Sequence, residues 1–286
     1  AILEGGAARA SAATAAQAAK AADASPVGRD NRVDLDDPVR PPAPPAAQAP
    51  VAVAAPVAPP LRSEPVSSGT AFAVRRDGTM LTNAHVVRGC DRLALAGGEA
   101  VGVLARDDRR DLAVVRASRG FDGVARFRRD QTVDLGEAVN LFGYPFYGAV
   151  STALNITNGI VTALVGIGDD PMHFQLNAGM QPGNSGGPVV DASGNVVGVA
   201  VARISDRLVM GAAGVVPQAM NYAIRGQVAE AFLLEHGVAA EKAADASGLA
   251  DAARRAVGWA RGEGDLRQVA REMGRVVFPI VCFGTR

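Results

Sequence analysis

From Ser67 onward the sequence consists of short β-type runs that are separated by turn residues. The runs include GTAFAV (69–74), DLAVVRA (111–117) and NVVGVAVA (195–202). Asp77-Gly78 and the segment Asp191–Gly194 supply the residue types that tight hairpin turns require. Many short strands with glycine-rich connections are typical of antiparallel sandwiches and barrels. The sequence therefore predicts an all-β core.

The segments on either side of this core differ from it in composition. Residues 1–66 are rich in alanine and proline. Because proline lacks an N–H donor and fixes φ, we expect this region to be a disordered, extended linker. Residues 228–238 place apolar residues at helical spacings and stop at Gly237. We expect residues 239–286 to form a helical extension that ends in a strand, VVFPIVCF (276–283), packed back on the core.

The charge balance excludes two classes of partner. The chain has 29 basic and 29 acidic residues and a formal net charge of zero. The chain as a whole therefore lacks the net positive charge that would attract it to nucleic acids or anionic membranes. We expect neither as a partner. The longest uncharged apolar stretches fall short of the roughly 18 residues of a transmembrane helix or lie among prolines, which argues against such a helix. No basic region followed by an apolar core opens the chain, so a signal peptide is missing or already removed.

Ser185 lies among glycines in the segment QPGNSGGPVV (181–190). Glycine allows backbone N–H groups to approach another atom closely, and a serine hydroxyl becomes a nucleophile when a general base removes its proton. His85, in LTNAHVV, follows a strand and is the best placed of the three histidines to be that base. Asp111, in RRDLAVV, is the favoured partner for the second ring nitrogen of the histidine.

Other interpretations of these residues stay open. Asp107 and Asp108 compete with Asp111, which we prefer because it directly precedes an apolar strand. His85 alone could be a structural histidine at a strand end, and Asp111 alone an exposed carboxylate at a strand start. We interpret His173 and His236 as structural or exposed to solvent. We find no set of cysteine and carboxylate partners at the spacing of a metal site, so we expect no metal. We also expect no cofactor.

Three motifs in this order, TNAHVV, DLAVV and GNSGGP, resemble the trypsin-like serine proteases, and most closely their bacterial HtrA (Deg) branch. The resemblance assigns residues 67–238 to a protease domain. It implies two antiparallel six-stranded β-barrels of the chymotrypsin-like type, with the active site between them. It also implies that His85 is the general base, Asp111 the orienting acid and Ser185 the nucleophile. The backbone N–H groups of Gly183 and Ser185 would then form the oxyanion hole.

The resemblance further implies a serine endopeptidase that cuts polypeptide substrates through an acyl-enzyme intermediate. The residues matching the walls of the substrate pocket are Gly179, Met180, Ala200, Val201 and Ala202. No acidic residue lies among them, so we expect cleavage after small or aliphatic residues. The HtrA branch usually carries a PDZ domain, and too few residues follow Val238 to form one. Its usual trimerising segment is not identifiable either, so the oligomeric state stays open.

Cys90 and Cys282 are the two cysteines of the sequence. If the chain is a secreted protease, as the resemblance implies, a disulfide between them is favoured and would clamp the extension onto the protease. Two separate buried thiols are the alternative. We expect a periplasmic or extracellular protein that acts in envelope protein processing or quality control. A protease-like binding module with an inactive or gated site, and a cytosolic processing protease, are the other hypotheses.

Overall fold

Twelve β-strands and three α-helices lie in the part of the chain that the computed structural model describes, residues 64–130, 132–202, 220–244 and 266–284. Most of the predicted linker and the predicted helical residues 245–265 lie outside these ranges. The strands are β1 (Glu64–Ala73), β2 (Thr79–Thr82), β3 (Arg92–Leu95), β4 (Ala100–Asp107), β5 (Leu112–Ala117), β6 (Ala138–Gly143), β7 (Asn155–Ala163), β8 (His173–Leu176), β9 (Pro188–Val190), β10 (Val196–Val201), β11 (Asn221–Arg225) and β12 (Val277–Gly284). The helices are α1 (Ala84–Val87), α2 (Gly226–Glu235) and α3 (Leu266–Met273).

The first barrel closes in the strand order β1-β12-β3-β4-β5-β2. Strands β1 and β2 form the hairpin predicted around Asp77-Gly78. Gly78 has a φ of 92°, in the left-handed region that glycine tolerates. The Asp77 carboxylate accepts the N–H of Thr79 at 3.1 Å and so caps the turn. Local turn chemistry therefore sets the register of this hairpin, in which Phe72 pairs with Leu81.

Strand β12 completes the first barrel, although it follows the second barrel in the sequence. It pairs with β1 from Glu64↔Gly284 to Phe72↔Val277 and also pairs with β3. Pro279 lies opposite Thr70 and beyond the last β3 pair, where its missing N–H removes no bond to β3. The predicted terminal strand is thus an integral member of the barrel between β1 and β3.

The second barrel closes in the order β10-β11-β8-β7-β6-β9. Strands β9 and β10 form the hairpin predicted at Asp191–Gly194, where Gly194 has a φ of 82°. Strand β11 was not expected from the sequence. It is five residues long and runs directly into helix α2, which begins at Gly226, so no loop separates the strand from the helix.

Helix α2 packs on the barrels through one apolar face. Ala229, Phe232 and Leu233 are buried at spacings of three and four residues. The helix ends at Glu235, and the predicted stop residue Gly237 follows the cap residue His236 with a φ of 72°. The N–H of Val238 donates to the Leu233 carbonyl at 2.9 Å, which closes the Schellman motif of such helix ends.

The all-β core and the two six-stranded antiparallel barrels confirm the predicted fold. Two boundaries differ from the prediction. Strand β1 begins at Glu64, inside the predicted linker, and its first residues alternate in exposure as a strand with one solvated face does. Residues 239–244 form no helix. None of the helices in the described ranges is long and apolar enough to cross a bilayer.

Candidate active site

His85 and Asp111 form a two-point contact in the first barrel. Helix α1 carries His85, and Asp111 immediately precedes β5. The Nδ1 atom of His85 lies 2.7 Å from Asp111 Oδ2, and the backbone N–H of His85 donates to Oδ1 at 2.9 Å. Both side chains are about four-fifths buried. Because the carboxylate engages Nδ1, the ring is oriented with Nε2 facing away from Asp111 and available for proton transfer.

The turn that carries Asp111 has an unusual backbone conformation. Asp111 has a φ of 54°, a left-handed conformation that aspartate adopts more readily than most residues. Its carbonyl accepts the side-chain amide of Asn83 at 2.9 Å. The preceding residue, Arg110, donates to both carboxylate oxygens of Glu235 on helix α2. This hydrogen bonding is foremost in holding the pKa of Glu235 below its usual value. The turn is therefore held from three sides.

The competing aspartates make other contacts. Asp107 Oδ1 accepts the N–H groups of Arg109 and Arg110, at 2.8 and 3.0 Å. The backbone hydrogen bond from Arg110 is the main cause that lowers the pKa of Asp107. Asp108 pairs with Arg88 and Arg106 at the surface. Among the three candidate carboxylates, Asp111 is the one that contacts His85.

The other two histidines lie in different surroundings. His173 Nδ1 lies 2.8 Å from Asp170 Oδ2 at the start of β8. Burial opposes ionisation of Asp170, but the hydrogen bonds from Met172 and His173 outweigh it and lower the pKa of Asp170. His236 packs edge-on against Phe232, with ring centroids 4.8 Å apart. Neither histidine lines the cleft that contains Ser185.

Ser185 lies in the turn before β9, and its side chain faces the same cleft as His85. The residue is only 5% exposed. Its carbonyl accepts the N–H of Thr70 at 2.8 Å, and its Oγ accepts the N–H of Ala202 at 3.2 Å. Within the described ranges, Ser185 Oγ makes no hydrogen bond to His85. Of the three side chains in the predicted row, His85 and Asp111 are hydrogen-bonded to each other, whereas the Ser185 hydroxyl is hydrogen-bonded to the backbone.

Two backbone N–H groups in the turn of Ser185 have no acceptor among the described residues. Asn184 N–H donates to Gln181, whereas those of Gly183 and Ser185 donate to no group in the described part of the chain. The Pro182 carbonyl accepts the N–H of Phe146 at 2.8 Å. Because a trans peptide directs its C=O and N–H to opposite sides, the N–H of Gly183 points away from Phe146. These two N–H groups can donate hydrogen bonds to a negatively charged oxygen that forms beside Ser185.

Gly183 has no room for a side chain. Its φ is 101°, and a Cβ at this position would lie 2.4 Å from the Tyr144 carbonyl oxygen. Only glycine therefore fits between the Tyr144 segment and the turn that contains Ser185. The close approach of the Tyr144 carbonyl therefore explains the glycine two residues before Ser185.

A cleft of about 300 Å³ opens at Ser185. Its lining includes Ala202 and excludes the other four residues of the predicted substrate pocket. Of those four, Ala200 and Val201 are buried in β10, and Met180 packs against the core of the second barrel. A Cβ at Gly179 would meet nothing closer than Thr157 Cγ2, at 4.0 Å. The full lining of the cleft is Ser67, Ser68, His85, Val86, Phe146, Tyr147, Ala149, Pro182, Gly183, Ser185 and Ala202.

Sequence reasoning missed the residues that support the turn from the first barrel. Thr70 is fully buried and bonds to both Gly183 and Ser185. Tyr144 donates its hydroxyl to the Val277 carbonyl of β12 at 3.2 Å, and burial raises its pKa. A threonine in a strand and a tyrosine after one carry no pattern that separates such a role from ordinary packing.

Cys90 and Cys282 are bonded as a disulfide in the structure, with their Cα atoms 5.3 Å apart. The bond joins the loop after α1 to strand β12. No three His, Cys, Asp or Glu side chains cluster as metal ligands in the described ranges. The chemistry available at the cleft is therefore that of His85, Asp111, Ser185 and the backbone donors.

Comparison with known proteins finds similarity to one family model and to several proteins. Residues 69–199 match the trypsin-like peptidase domain, and no PDZ domain is detected. The chain is 36% identical over 185 residues to the uncharacterized protein y4bJ of Sinorhizobium fredii, with 63% of this chain and 29% of that protein covered. It is also 36% identical over 156 residues to a probable periplasmic serine endoprotease, DegP-like, of Brucella suis, with 51% and 29% covered.

The chain is also similar to a human protein and to a solved structure. Human serine protease HTRA4 is 34% identical over 157 residues, with 51% of this chain and 32% of that protein covered. The HtrA-type protease AlgW has a TM-score of 0.49 at 27% identity, with 59% and 51% covered. The chain spans about three-tenths of the length of the curated relatives described here.

Proposed function

Because residues 69–199 match the trypsin-like peptidase domain, we propose that the chain is a serine endopeptidase with His85, Asp111 and Ser185 as its catalytic residues. One observation carries the proposal: a His85 ring held by Asp111 at 2.7 Å faces the same cleft as a serine whose neighbouring N–H groups lack acceptors. Each of these parts has a role in acyl transfer, and together they require no cofactor.

In the proposed reaction, His85 Nε2 takes the proton of Ser185 Oγ as the oxygen attacks the substrate carbonyl. The N–H groups of Gly183 and Ser185 donate to the resulting oxyanion. His85 then gives its proton to the leaving amine, the peptide C–N bond breaks, and an ester to Ser185 remains. Water hydrolyses that ester by the same route. Asp111 stabilises the positive imidazolium in both halves of the reaction.

The hydrogen bond from Ala202 to Ser185 Oγ favours a second candidate, the protease-like binding module. In that case the hydroxyl stays on the backbone and the cleft binds peptide without cutting it. Catalysis requires rotation of Ser185 about χ1 so that Oγ reaches His85, a change between staggered rotamers of one small side chain. Hydrogen bonds in unliganded active sites often form fully only with substrate bound.

Labelling with a fluorophosphonate separates the two candidates. We expect the folded protein to acquire one adduct on Ser185 and to hydrolyse casein. Ser185→Ala should abolish labelling and lower the rate by at least about 10⁴-fold. His236→Ala, a histidine variant outside the cleft, should leave both unchanged. A wild-type protein that binds casein but neither cuts it nor takes the label would favour the binding module.

We also propose cleavage after small or aliphatic residues. Supporting this, the cleft lining among the described residues has no acidic side chain and includes Val86, Ala149 and Ala202. Sequencing the peptides produced from an unfolded protein substrate tests the preference, and cuts mainly after Arg or Lys would contradict it.

For location we propose the periplasm or cell exterior, with a role in envelope protein processing or quality control. The Cys90–Cys282 disulfide and the relative named as periplasmic support this location.

A further inference from the structure

Thr70 lies at the point where strand β1 of the first barrel meets the turn that holds Ser185. Its side chain is fully buried. The hydroxyl lies 2.7 Å from the Gly183 carbonyl and 3.0 Å from the N–H of Tyr144. A carbonyl only accepts and an N–H only donates, so the hydroxyl must donate to Gly183 and accept from Tyr144. The direction of both hydrogen bonds is thus fixed by the chemistry of the partners.

These contacts fix the peptide groups around the two candidate oxyanion donors. Phe146 N–H holds the peptide that precedes Gly183, and Gly187 N–H holds the carbonyl of Asn184. Between them, the Gly183 carbonyl accepts the Thr70 hydroxyl. The Thr70 N–H holds the next carbonyl along the turn, that of Ser185, at 2.8 Å. The Thr70 hydroxyl is the side-chain group among these contacts. Its acceptor, the Gly183 carbonyl, belongs to the peptide group that lies along the chain between those carrying the N–H groups of Gly183 and Ser185.

We propose that Thr70 is a positioning residue for the oxyanion hole. Its hydroxyl ties the Gly183 peptide to the Tyr144 segment, so that the N–H groups of Gly183 and Ser185 remain aimed at one point. The inference rests on the proposed endopeptidase function and adds to it a residue outside the three catalytic side chains. Without the hydroxyl, the buried Gly183 carbonyl and the partly buried Tyr144 N–H lose their shared partner. The Gly183 peptide then becomes free to rotate towards another donor.

The test compares Thr70→Val, which replaces the hydroxyl by a methyl group, with Thr70→Ser, which keeps it. We expect Thr70→Val to lower kcat by about 10- to 100-fold, because small misplacements of catalytic groups have effects of that size. KM for a peptide amide should change by less than about threefold, since ground-state contacts remain. Thr70→Ser should retain kcat within about threefold. Affinity for a peptide aldehyde, whose adduct places an oxyanion at these donors, should fall in parallel with kcat/KM.

Thr79→Val is the matched control for lost stability. Thr79 is also fully buried, and its hydroxyl donates to Asp77 at 2.6 Å, away from the cleft. We expect it to lower the unfolding midpoint without lowering kcat. If Thr70→Val does not fold, Thr70→Ala removes the same hydroxyl without adding bulk, and the same kinetic result is expected.

The outcomes separate the two proposals. Suppose that the wild type is active and that Thr70→Val, or Thr70→Ala in its place, has a kcat within twofold of the wild-type value. That result leaves the endopeptidase function standing and overturns the positioning role of Thr70. A loss in Thr70→Ser as large as in the hydroxyl-free variant also overturns it. A wild type without turnover or fluorophosphonate adduct overturns the endopeptidase function and the oxyanion role together.

Discussion

At the scale of single residues, Asp111 is the most constrained side chain of the site. Its left-handed backbone lets one carboxylate oxygen face the N–H of His85 while the other faces the imidazole ring. Both oxygens are therefore committed to the same histidine. A group that offers only one acceptor oxygen cannot reproduce both contacts.

Asp111→Asn is expected to lower kcat by about 10⁴-fold. If the amide oxygen still accepts the backbone N–H of His85, the NH₂ group faces Nδ1. Because the NH₂ group donates, Nδ1 must accept, and the ring proton then lies on Nε2. A protonated Nε2 can no longer act as the base. The measurement is the rate of peptide hydrolysis, with Asp108→Asn as the control because Asp108 pairs with Arg88 and Arg106 at the surface. Equal losses in the two variants would contradict the assignment of Asp111.

The residues of the site were predictable to different degrees. His85, Asp111 and Ser185 lie in short motifs whose order and strand context carry the interpretation. Thr70 could not be found in this way, because its role depends on the distance between two barrels and not on neighbouring residues. The hydrogen bond from the Ala202 N–H to the Ser185 hydroxyl was not predictable either. It depends on the rotamer of Ser185, which neighbouring residues in the sequence do not reveal.

At the scale of elements, the turn from Asp107 to Asp111 connects two strands and also delivers a functional side chain. The Asp107 carboxylate caps the turn by accepting two successive N–H groups, and the Arg110 guanidinium reinforces it at 2.7 Å. Capped in this way, the turn can support the left-handed residue that follows. Its stability should therefore depend on the charge of Asp107.

We expect Asp107→Asn to destabilise the protein at neutral pH and to have little effect in acid. The folded-state pKa of Asp107 is lowered, chiefly by the Arg110 N–H, so the charged form is favoured in the folded protein. Its contribution is complete above the unfolded-state pKa of about 4 and is lost as the pH falls through the lower folded-state value. Urea unfolding of wild type and variant at pH 7 and pH 3 measures this. A difference in unfolding free energy that is the same at both pH values would contradict it.

Most strands were predictable because alternating or continuous apolar runs end at glycine and aspartate turns. Helix α1 was not, since four residues give no helical period, and β11 was not, since it continues into α2 without a break. The pairing of β12 with β1 and β3 was beyond local reasoning as well. Its strand character is visible in VVFPIVCF, whereas its partners are set by closure of the barrel.

At the scale of the whole molecule, one covalent bond and two strand ladders hold β12 in place. Cys282 is buried and bonded to Cys90 across a sequence separation of 192 residues. A crosslink that closes so long a loop restricts the unfolded chain strongly. The same strand contacts Tyr144 beside the Gly183 turn, so its docking also supports the site.

Reduction of the disulfide should lower the free energy of unfolding by about 2–5 kcal/mol. Urea unfolding with and without dithiothreitol measures the change. In a Cys90→Ser, Cys282→Ser double variant the reductant should have no effect, which controls for its other actions. Identical midpoints for wild type in both conditions would show that the crosslink does not contribute.

The position of β12 after the second barrel also dictates an order of assembly. A ribosome releases the polypeptide from its amino end, so β1 to β5 emerge while the gap between β1 and β3 is still empty. That gap fills only after β6 to β11 have been translated. Translation therefore delivers Ser185 before the barrel bearing His85 and Asp111 can close, and a nascent chain cannot complete its cleft until β12 has left the exit tunnel.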